Sequence, residues 1–339
     1  MSAAGKTYNL ALLGFGNVGR EFVRLLVAKT SELRESYGIE WNLTGVASRR
    51  IGWIADANGL KPDEILSGRF PSGLHPPASV REWIAQAKPD SVFEATSLNR
   101  RDGQPAIEHI RTALESGAHA ISANKGPVVH AYRELQALAA QRGRKFLFES
   151  AVLDGTPIFS LFPHALPAVE LRGFRGILNS TTNVVLMEME RGATLDQAVK
   201  RAQEIGVAET DPSDDLDGWD PAVKVAALAI VLLGVPITLD QVERIGIRGV
   251  PPEEIRAAVK DGTRYKLVCS AERTSDGGVR ASVRPMRLPL SDPLAQLEGT
   301  TSAIRFDMDV FGLSIIEHKP GVIATAYGLL ADFIRATRG

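Results

Sequence analysis

The chain has 339 residues, 44% of them hydrophobic and 23% charged, which is enough for about two globular domains with sizeable cores. Its 39 basic and 40 acidic side chains nearly cancel, so a general nucleic-acid binder is excluded and a small molecule is the expected partner. The longest strongly apolar run, 226–235, is about half of the roughly 20 residues that a membrane-spanning helix needs, and we predict no membrane span.

The N-terminus and the cysteine content point to a reducing compartment. Residues 1–9 lack the basic segment followed by an apolar stretch that marks a secretory signal, so we predict a cytoplasmic protein. The single cysteine, Cys269, excludes an internal disulfide and a multi-cysteine zinc site. It lies in the strand-like run 265–269, which indicates a core thiol rather than a nucleophile.

The first 150 residues alternate short apolar runs with amphipathic stretches, the pattern of a Rossmann-type parallel sheet. Strands are predicted at 9–13, 43–47, 91–95, 118–122 and 145–148, and helices at 19–33 and 131–141. Residues 59–79 are rich in glycine and proline and form a long connection. We therefore predict an α/β dinucleotide-binding domain over 1–150.

A glycine-rich turn follows the first predicted strand and opens the first helix. The G-x-G-x-x-G spacing in this context predicts that the turn and the helix N-terminus bind a pyrophosphate. The candidate cofactor-binding residues of this turn are Gly14, Phe15, Gly16, Asn17, Val18 and Gly19.

The end of the second predicted strand selects the dinucleotide. An acidic side chain there would bind an unphosphorylated ribose, but the chain has Ser48, Arg49 and Arg50. A hydroxyl and two guanidinium groups suit a 2′-phosphate, so we predict that NADP(H) is preferred over NAD(H). The alternative is that both arginines are a solvated surface pair.

The pattern changes after Pro157 and predicts a second, α+β domain over 151–318, followed by a C-terminal helical segment over 319–339. Short connections between its strands indicate a sheet of mixed or antiparallel order. The predicted strands are 171–178, 266–271, 279–285 and 303–316, and the predicted helices are 195–205 (after Thr194), 221–233 and 321–335.

Six carboxylates lie within 209–220, just before the apolar helix. A calcium loop does not fit, because its first and last positions would be Ser213 and Lys224. Asp220 and Lys224 are four residues apart and share a helix face. Such a pair is usually exposed and structural, but the apolar residues after Lys224 favour a partly buried site in which the lysine transfers a proton.

Several segments together resemble the homoserine dehydrogenase family: 14–19, 122–127, 175–183 and 202–224. The resemblance spans nearly the whole chain and implies NAD(P)-dependent interconversion of aspartate 4-semialdehyde and L-homoserine, in threonine and methionine biosynthesis. It implies that Lys224 and Lys125 face the reacting oxygen, one of them as the acid or base, and that Asp220 holds Lys224. Glu209 would bind the ammonium of the amino-acid substrate and Asp215 its polar end.

The resemblance also implies a cofactor site and an assembly. Thr96 and Lys125 would line the nicotinamide site, and Gly321 would belong to the cofactor site at the start of a closing helix that returns to the nucleotide domain. The second sheet would form the interface of a homodimer.

The family usually has a glycine-rich turn after Glu149, but this chain has Leu153 and Asp154 in that region. A monovalent cation such as sodium is implied near the turn, held largely by backbone carbonyls. An added carboxylate would strengthen that site or signal a different substrate preference. The candidate ligands are Glu149, Val152, Asp154 and Thr156.

Three other interpretations follow from the same residues. A related dehydrogenase acting on another amino or hydroxy acid is the nearest alternative, and a non-catalytic dinucleotide sensor is the alternative from another class. An acylating semialdehyde dehydrogenase is disfavoured because it needs a positioned cysteine. We find no segment for a regulatory or kinase domain, so threonine is expected to inhibit only weakly, by competition for the homoserine site.

Overall fold

The computed structural model describes residues 6–71 and 77–338. The chain forms two compact units, and its first and last parts belong to the same one. Unit 1 consists of Met1–Ile158 and Gly321–Gly339, and unit 2 is Phe159–Pro320. No helix in the described part of the chain is both long and apolar enough to cross a membrane.

Unit 1 is built on a six-stranded sheet. The strands are β1 (Lys6–Leu13), β2 (Ile39–Ser48), β3 (Gly52–Ala55), β4 (Ser91–Glu94), β5 (His119–Ser122) and β6 (Phe146–Leu147). The helices up to residue 158 are α1 (Asn17–Ala28), α2 (Thr30–Tyr37), α3 (Pro62–Leu66), α4 (Val80–Ala87), α5 (Ala106–Glu115) and α6 (Lys125–Gln141). The spatial order is β3-β2-β1-β4-β5-β6, and every neighbouring pair is parallel except β2 and β3. This order confirms the predicted Rossmann-type domain.

An aromatic core lies under the carboxyl ends of the central strands. Phe22 of α1 packs on Phe93 of β4 with the ring centroids 4.3 Å apart, and Phe333 meets Phe93 at 5.9 Å. All three rings are fully or almost fully buried. The core therefore supports the ends of β1 and β4, where the glycine turn and Thr96 follow.

The structure corrects four details predicted for unit 1. The helix predicted over 19–33 is two helices, because Lys29 leaves the helical conformation between α1 and α2. Helix α6 begins at Lys125 rather than at 131, since its first turn tolerates a proline and a kink at Ala131 joins the two parts. Strand β3 is absent from the prediction. The connection 59–79 contains α3, and its residues 72–76 lie outside the described ones.

Unit 2 contains a second six-stranded sheet. Its strands are β7 (Leu171–Ile177), β8 (Val242–Arg244), β9 (Thr263–Arg273), β10 (Val279–Pro289), β11 (Ser302–Met308) and β12 (Gly312–Glu317). Its helices are α7 (Leu161–Ala165), α8 (Ser180–Glu190), α9 (Leu195–Glu204), α10 (Ser213–Leu216), α11 (Trp219–Leu232) and α12 (Pro252–Lys260). The order is β12-β11-β7-β9-β10-β8, antiparallel except for β8 and β10. The sheet predicted to be of mixed or antiparallel order is therefore mixed.

The single strand predicted over 303–316 is wrong, because β11 and β12 form a hairpin there. Val310 and Phe311 lie in the connection between the two strands and are 69% and 46% exposed. Because both side chains are apolar, the hydrophobic pattern of the sequence continues through the turn and does not mark it. The helix predicted after Thr194 is α9, which a capping box with Gln197 opens. The last helix, α13 (Val322–Thr337), belongs to unit 1.

Candidate active site

The glycine turn between β1 and α1 has the backbone geometry that a pyrophosphate requires. Gly14 has φ +97°, and a Cβ there would lie 2.3 Å from the carbonyl oxygen of Ala95. A Cβ on Gly19 would lie 2.4 Å from the carbonyl oxygen of Gly14, so only glycine lets α1 pack this closely. A Cβ on Gly16 would meet no described atom within 4 Å, which leaves open space at the start of α1. The turn therefore fits a dinucleotide phosphate.

The other members of this motif have structural positions around the turn. Phe15 is buried, and the guanidinium of Arg20 lies 5.2 Å from its ring centroid. Asn17 is the exposed first residue of α1, and Val18 packs against the core of unit 1.

The turn between β2 and β3 carries Arg49 and Arg50, both exposed. The Gly14 N–H donates to the carbonyl oxygen of Ala47 at 2.9 Å, so the end of β2 at Ser48 adjoins the glycine turn. In the ranges 6–71 and 77–338, no carboxylate forms an ion pair with either guanidinium. The two cations thus lie at the edge of the sheet where the ribose of a bound dinucleotide is selected.

Asn124 ties together two residues predicted to line the nicotinamide site. It is the N-cap of α6, and its Oδ1 accepts a hydrogen bond from the Gly126 N–H at 2.9 Å. Its Nδ2 donates to the carbonyl oxygen of Thr96 at 3.2 Å. Lys125, partly exposed, is the first residue of the helix that Asn124 caps. One amide side chain therefore connects the backbone of Thr96 to the helix turn that carries Lys125.

In unit 2, a polar cluster forms around Lys224, a residue of α11. Its Nζ donates to the carbonyl oxygen of Leu178 at 2.7 Å and lies 3.2 Å from Oδ2 of Asp220. The two side chains are 18% and 21% exposed, so the pair is partly buried rather than fully solvated. Nδ2 of Asn179 donates to Asp215 at 2.7 Å and to Asp220 at 3.2 Å. The structure thus brings together three predicted site residues.

Asn179 belongs to this cluster but is not among the site residues predicted from the sequence. Its Oδ1 accepts from the Thr182 N–H at 2.9 Å and caps α8, so the side chain has one fixed orientation. The sequence signal is an asparagine between a strand and a helix. Burial raises the pKa of Asp215, and the Asp220 carboxylate raises it further, against the hydrogen bond from Asn179.

Glu209 is not part of the hydrogen-bonded cluster. Nε2 of Gln203 donates at 3.1 Å to the backbone carbonyls of Glu209 and Thr210, which fixes the course of the chain. The Glu209 side chain is exposed, and within the described residues no hydrogen bond joins it to Asp215 or Lys224. Its role in binding an ammonium group stays a prediction.

The turn that departs from the family pattern uses its carboxylate to hold α13. Leu153 and Asp154 have φ of +54° and +50°, the left-handed region that favours glycine. Oδ2 of Asp154 accepts from the Gly321 N–H at 2.6 Å, and Oδ1 accepts from Oγ1 of Thr325 at 3.0 Å. Asp154 therefore serves as a capping group for α13 from a distant part of the chain.

The second acidic residue of the predicted cation set is also engaged by the protein. Oε2 of Glu149, which is 2% exposed, lies 2.7 Å from the guanidinium of Arg335. Val152 is buried, and Thr156 donates its N–H to the carbonyl oxygen of Leu153. Across the described ranges, no group of three histidine, cysteine or acidic side chains is placed to hold a metal. Side-chain coordination of a cation does not fit here, and the cation stays a prediction.

Cys269 is a core thiol, as predicted. It is fully buried in β9, and burial raises its pKa to about 12. A thiol that stays protonated at neutral pH is not a nucleophile.

Comparison with known protein families identifies both parts of the chain. Residues 14–149 match the family model described as the NAD-binding domain of homoserine dehydrogenase. Residues 157–334 match the family model described as homoserine dehydrogenase.

Curated relatives and solved structures are similar to this chain over nearly its whole length. An NAD(+)-dependent homoserine dehydrogenase of Pseudomonas canavaninivorans is 35% identical, over 96% of this chain and 95% of that protein. A homoserine dehydrogenase of Methanocaldococcus jannaschii is 32% identical, over 96% and 97%. The structure of a putative homoserine dehydrogenase from Archaeoglobus fulgidus has a TM-score of 0.86 at 30% identity, covering 97% and 99%. That of a hyperthermophilic archaeal homoserine dehydrogenase mutant with NADPH has a TM-score of 0.82 at 27% identity, covering 98% of each chain.

Proposed function

Because the chain belongs to the homoserine dehydrogenase family, oxidoreductases that act on a CH–OH group, we propose that it interconverts L-homoserine and aspartate 4-semialdehyde with NADPH as the preferred cofactor. The reaction would serve threonine and methionine biosynthesis. The observation that carries this proposal is the cluster in which Lys224 is held by the Leu178 carbonyl and Asp220. A cytoplasmic homodimer is proposed from the sequence and the resemblance.

The protein residues supply proton transfer, orientation and charge. The nicotinamide supplies the hydride when it is bound. In the reductive direction, Lys224 donates a proton to the oxygen of the aldehyde, and in the oxidative direction it accepts the proton of the hydroxyl. The Asp220 carboxylate keeps the ammonium group of Lys224 oriented. Lys125, the first residue of α6, is the alternative acid or base that the family resemblance implies.

The remaining acidic residues recognise the amino acid. Asp215 binds the polar end of the substrate. Nδ2 of Asn179 holds the Asp215 carboxylate in place through a hydrogen bond of 2.7 Å. Glu209, which is exposed, binds the ammonium group. The phosphate turn at Gly14, Gly16 and Gly19 anchors the cofactor.

The proposed reaction is tested by following NADPH oxidation with aspartate 4-semialdehyde beside a panel of other aldehydes and keto acids. We expect the semialdehyde to have the highest kcat/KM. A higher kcat/KM for another substrate would indicate the related dehydrogenase, and cofactor binding without turnover would indicate a sensor.

The cofactor preference is tested at the β2–β3 turn. Replacing Arg49 and Arg50 together by alanine is expected to raise KM for NADPH about 10- to 100-fold and leave KM for NADH unchanged. Hydrogen bonds to a charged group contribute about 1.5–3 kcal/mol and are lost only where the 2′-phosphate is present. The measurement is the pair of KM values in the wild type and the variant.

Arg142→Ala is the matched control, because Arg142 is an exposed arginine of unit 1 at the end of α6. It should change neither KM. An equal loss with both cofactors would contradict the role of the arginines. A wild type that prefers NADH would place it with the relative named as NAD(+)-dependent.

The raised pKa of Asp215 predicts an acid limb in the pH profile. Because its pKa lies above the ordinary value of a carboxyl, Asp215 loses its charge as the pH falls before an exposed aspartate does. If the charge binds the substrate, kcat/KM decreases over that range. Asp215→Asn should lower kcat/KM at neutral pH about 10- to 100-fold and abolish this limb.

Asp214→Asn removes the neighbouring, exposed carboxylate and is the control, which should keep the limb. The two profiles of kcat/KM against pH decide the point. An unchanged acid limb in Asp215→Asn would assign it to another group.

A further inference from the structure

A buried carboxylate to which the sequence analysis assigns no role lies at the carboxyl end of β4. Glu94 is the last residue of the strand and is 1% exposed. The sheet order reverses between β1 and β4, which is where an open α/β sheet binds its ligand. A Cβ on Gly14 would lie within 2.7 Å of the Thr96 nitrogen, so the residues after Glu94 touch the phosphate turn.

Glu94 has no strong cationic partner to compensate for its burial. In the described part of the chain, no lysine or arginine pairs with it, and the nearest basic atom is Nδ1 of His109 at 3.8 Å. That nitrogen is itself buried without a hydrogen-bond partner among the described residues. Burying an acidic group under these conditions is costly, so its hydrogen bonds must compensate.

One carboxylate oxygen holds Thr96. Oε1 of Glu94 accepts a hydrogen bond from the Thr96 N–H at 3.0 Å and another from the Thr96 hydroxyl. The Thr96 carbonyl accepts from Nδ2 of Asn124 at 3.2 Å. Every backbone polar group of Thr96, together with its hydroxyl, is thereby fixed by a side chain.

The other oxygen reaches the start of α6 through a chain of hydrogen bonds. Oε2 of Glu94 accepts a hydrogen bond from Oγ of Ser122 at 3.3 Å. The Ser122 Oγ in turn accepts one from the Asn124 N–H at 3.0 Å. Asn124 caps α6 at Lys125. Hydrogen bonds in such a chain polarise one another and rigidify the elements they join.

We propose that Glu94 is a positioning residue that sets the geometry of both Thr96 and Lys125. It contacts neither substrate nor cofactor, and it acts through Thr96 on cofactor binding and through Ser122 and Asn124 on the turnover step. The second effect rests on the proposed function, whereas the first is measured by cofactor binding alone.

Two conservative variants separate position from charge. Glu94→Asp keeps the charge but withdraws the carboxylate from its partners by one methylene. Glu94→Gln keeps the shape, because its carbonyl oxygen accepts from Thr96 and its amide donates to Ser122. We expect Glu94→Asp to raise the Kd for NADPH and to lower kcat, each about 10-fold, and Glu94→Gln to stay close to the wild type in both.

The matched control is Ser91→Ala, since Ser91 is a buried residue at the other end of β4. It should leave Kd and kcat unchanged, and its thermal unfolding midpoint calibrates general damage to the strand. Combining Glu94→Asp with Thr96→Val should raise Kd no more than Thr96→Val alone, because both act through one residue.

The proposal would be overturned if Glu94→Asp had the same Kd and kcat as Ser91→Ala, or if the Glu94→Gln protein were as impaired in both as Glu94→Asp. Additive effects of Glu94→Asp and Thr96→Val on Kd would overturn it as well. Kd is read from NADPH fluorescence without substrate. A protein that binds NADPH but does not turn over homoserine would therefore contradict the proposed function and still test Glu94.

Discussion

Lys224→Ala is expected to lower kcat by about 10²- to 10⁴-fold while the protein stays folded, because a general acid–base group contributes this much to the rate. The ammonium of Lys224 is oriented by the Leu178 carbonyl at 2.7 Å and by Asp220 at 3.2 Å. Neither contact is part of the apolar core. The measurement is kcat for reduction of aspartate 4-semialdehyde at saturating NADPH, with circular dichroism to verify the fold.

Two further variants make this result specific. Lys200→Ala removes an exposed lysine of α9 and should leave kcat unchanged. Lys224→Met keeps the length of the side chain and protects α11 against a cavity, yet should be as inactive as Lys224→Ala. We expect Lys125→Ala to lose most turnover as well. A folded Lys224→Met protein with near wild-type kcat would show that another group transfers the proton.

The parts of the site that the sequence predicts well are those encoded by neighbours in the chain. The glycine turn is recognisable because Gly14 and Gly19 leave no room for a Cβ and Gly16 leaves open space at the start of α1. Asp220 and Lys224 are recognisable because residues four apart share a helix face. The strand and helix order of unit 1 follows from the same local periodicity.

The parts that escaped prediction depend on residues far apart in the chain. The Asp154 carboxylate accepts hydrogen bonds from Gly321 and Thr325. The sequence around residue 154 does not indicate these contacts. Glu94 reads as an ordinary strand end until the fold brings Ser122 beside it. A one-dimensional pattern records side-chain type and spacing, whereas these contacts arise only after the sheet has assembled.

Arg335→Ala is expected to destabilise the protein by about 3–5 kcal/mol, the cost of removing the guanidinium from two buried carboxylates. The Arg335 guanidinium lies 2.7 Å from Glu149 and also contacts Asp332, whose side chains are 2% and 0% exposed. The Glu149 N–H in addition donates to Asp332 at 2.7 Å, so α13 and residue 149 share one buried network. Urea unfolding at pH 8 measures the loss.

The sign of the pH dependence identifies the cause. Burial already raises the pKa of Asp332 to about 6, against the pull of Arg335, and without the guanidinium its pKa rises further. A carboxyl whose folded pKa exceeds its unfolded value contributes stability at low pH and loses it as the pH rises. The loss of stability in Arg335→Ala should therefore be smaller at pH 5 than at pH 8, and adding Asp332→Asn should recover part of it.

The control is Arg338→Ala, because Arg338 is an exposed arginine just beyond the end of α13. This variant should lose little stability at either pH. A defect independent of pH, with no recovery in the double variant, would mean that Arg335 stabilises α13 through packing instead of charge.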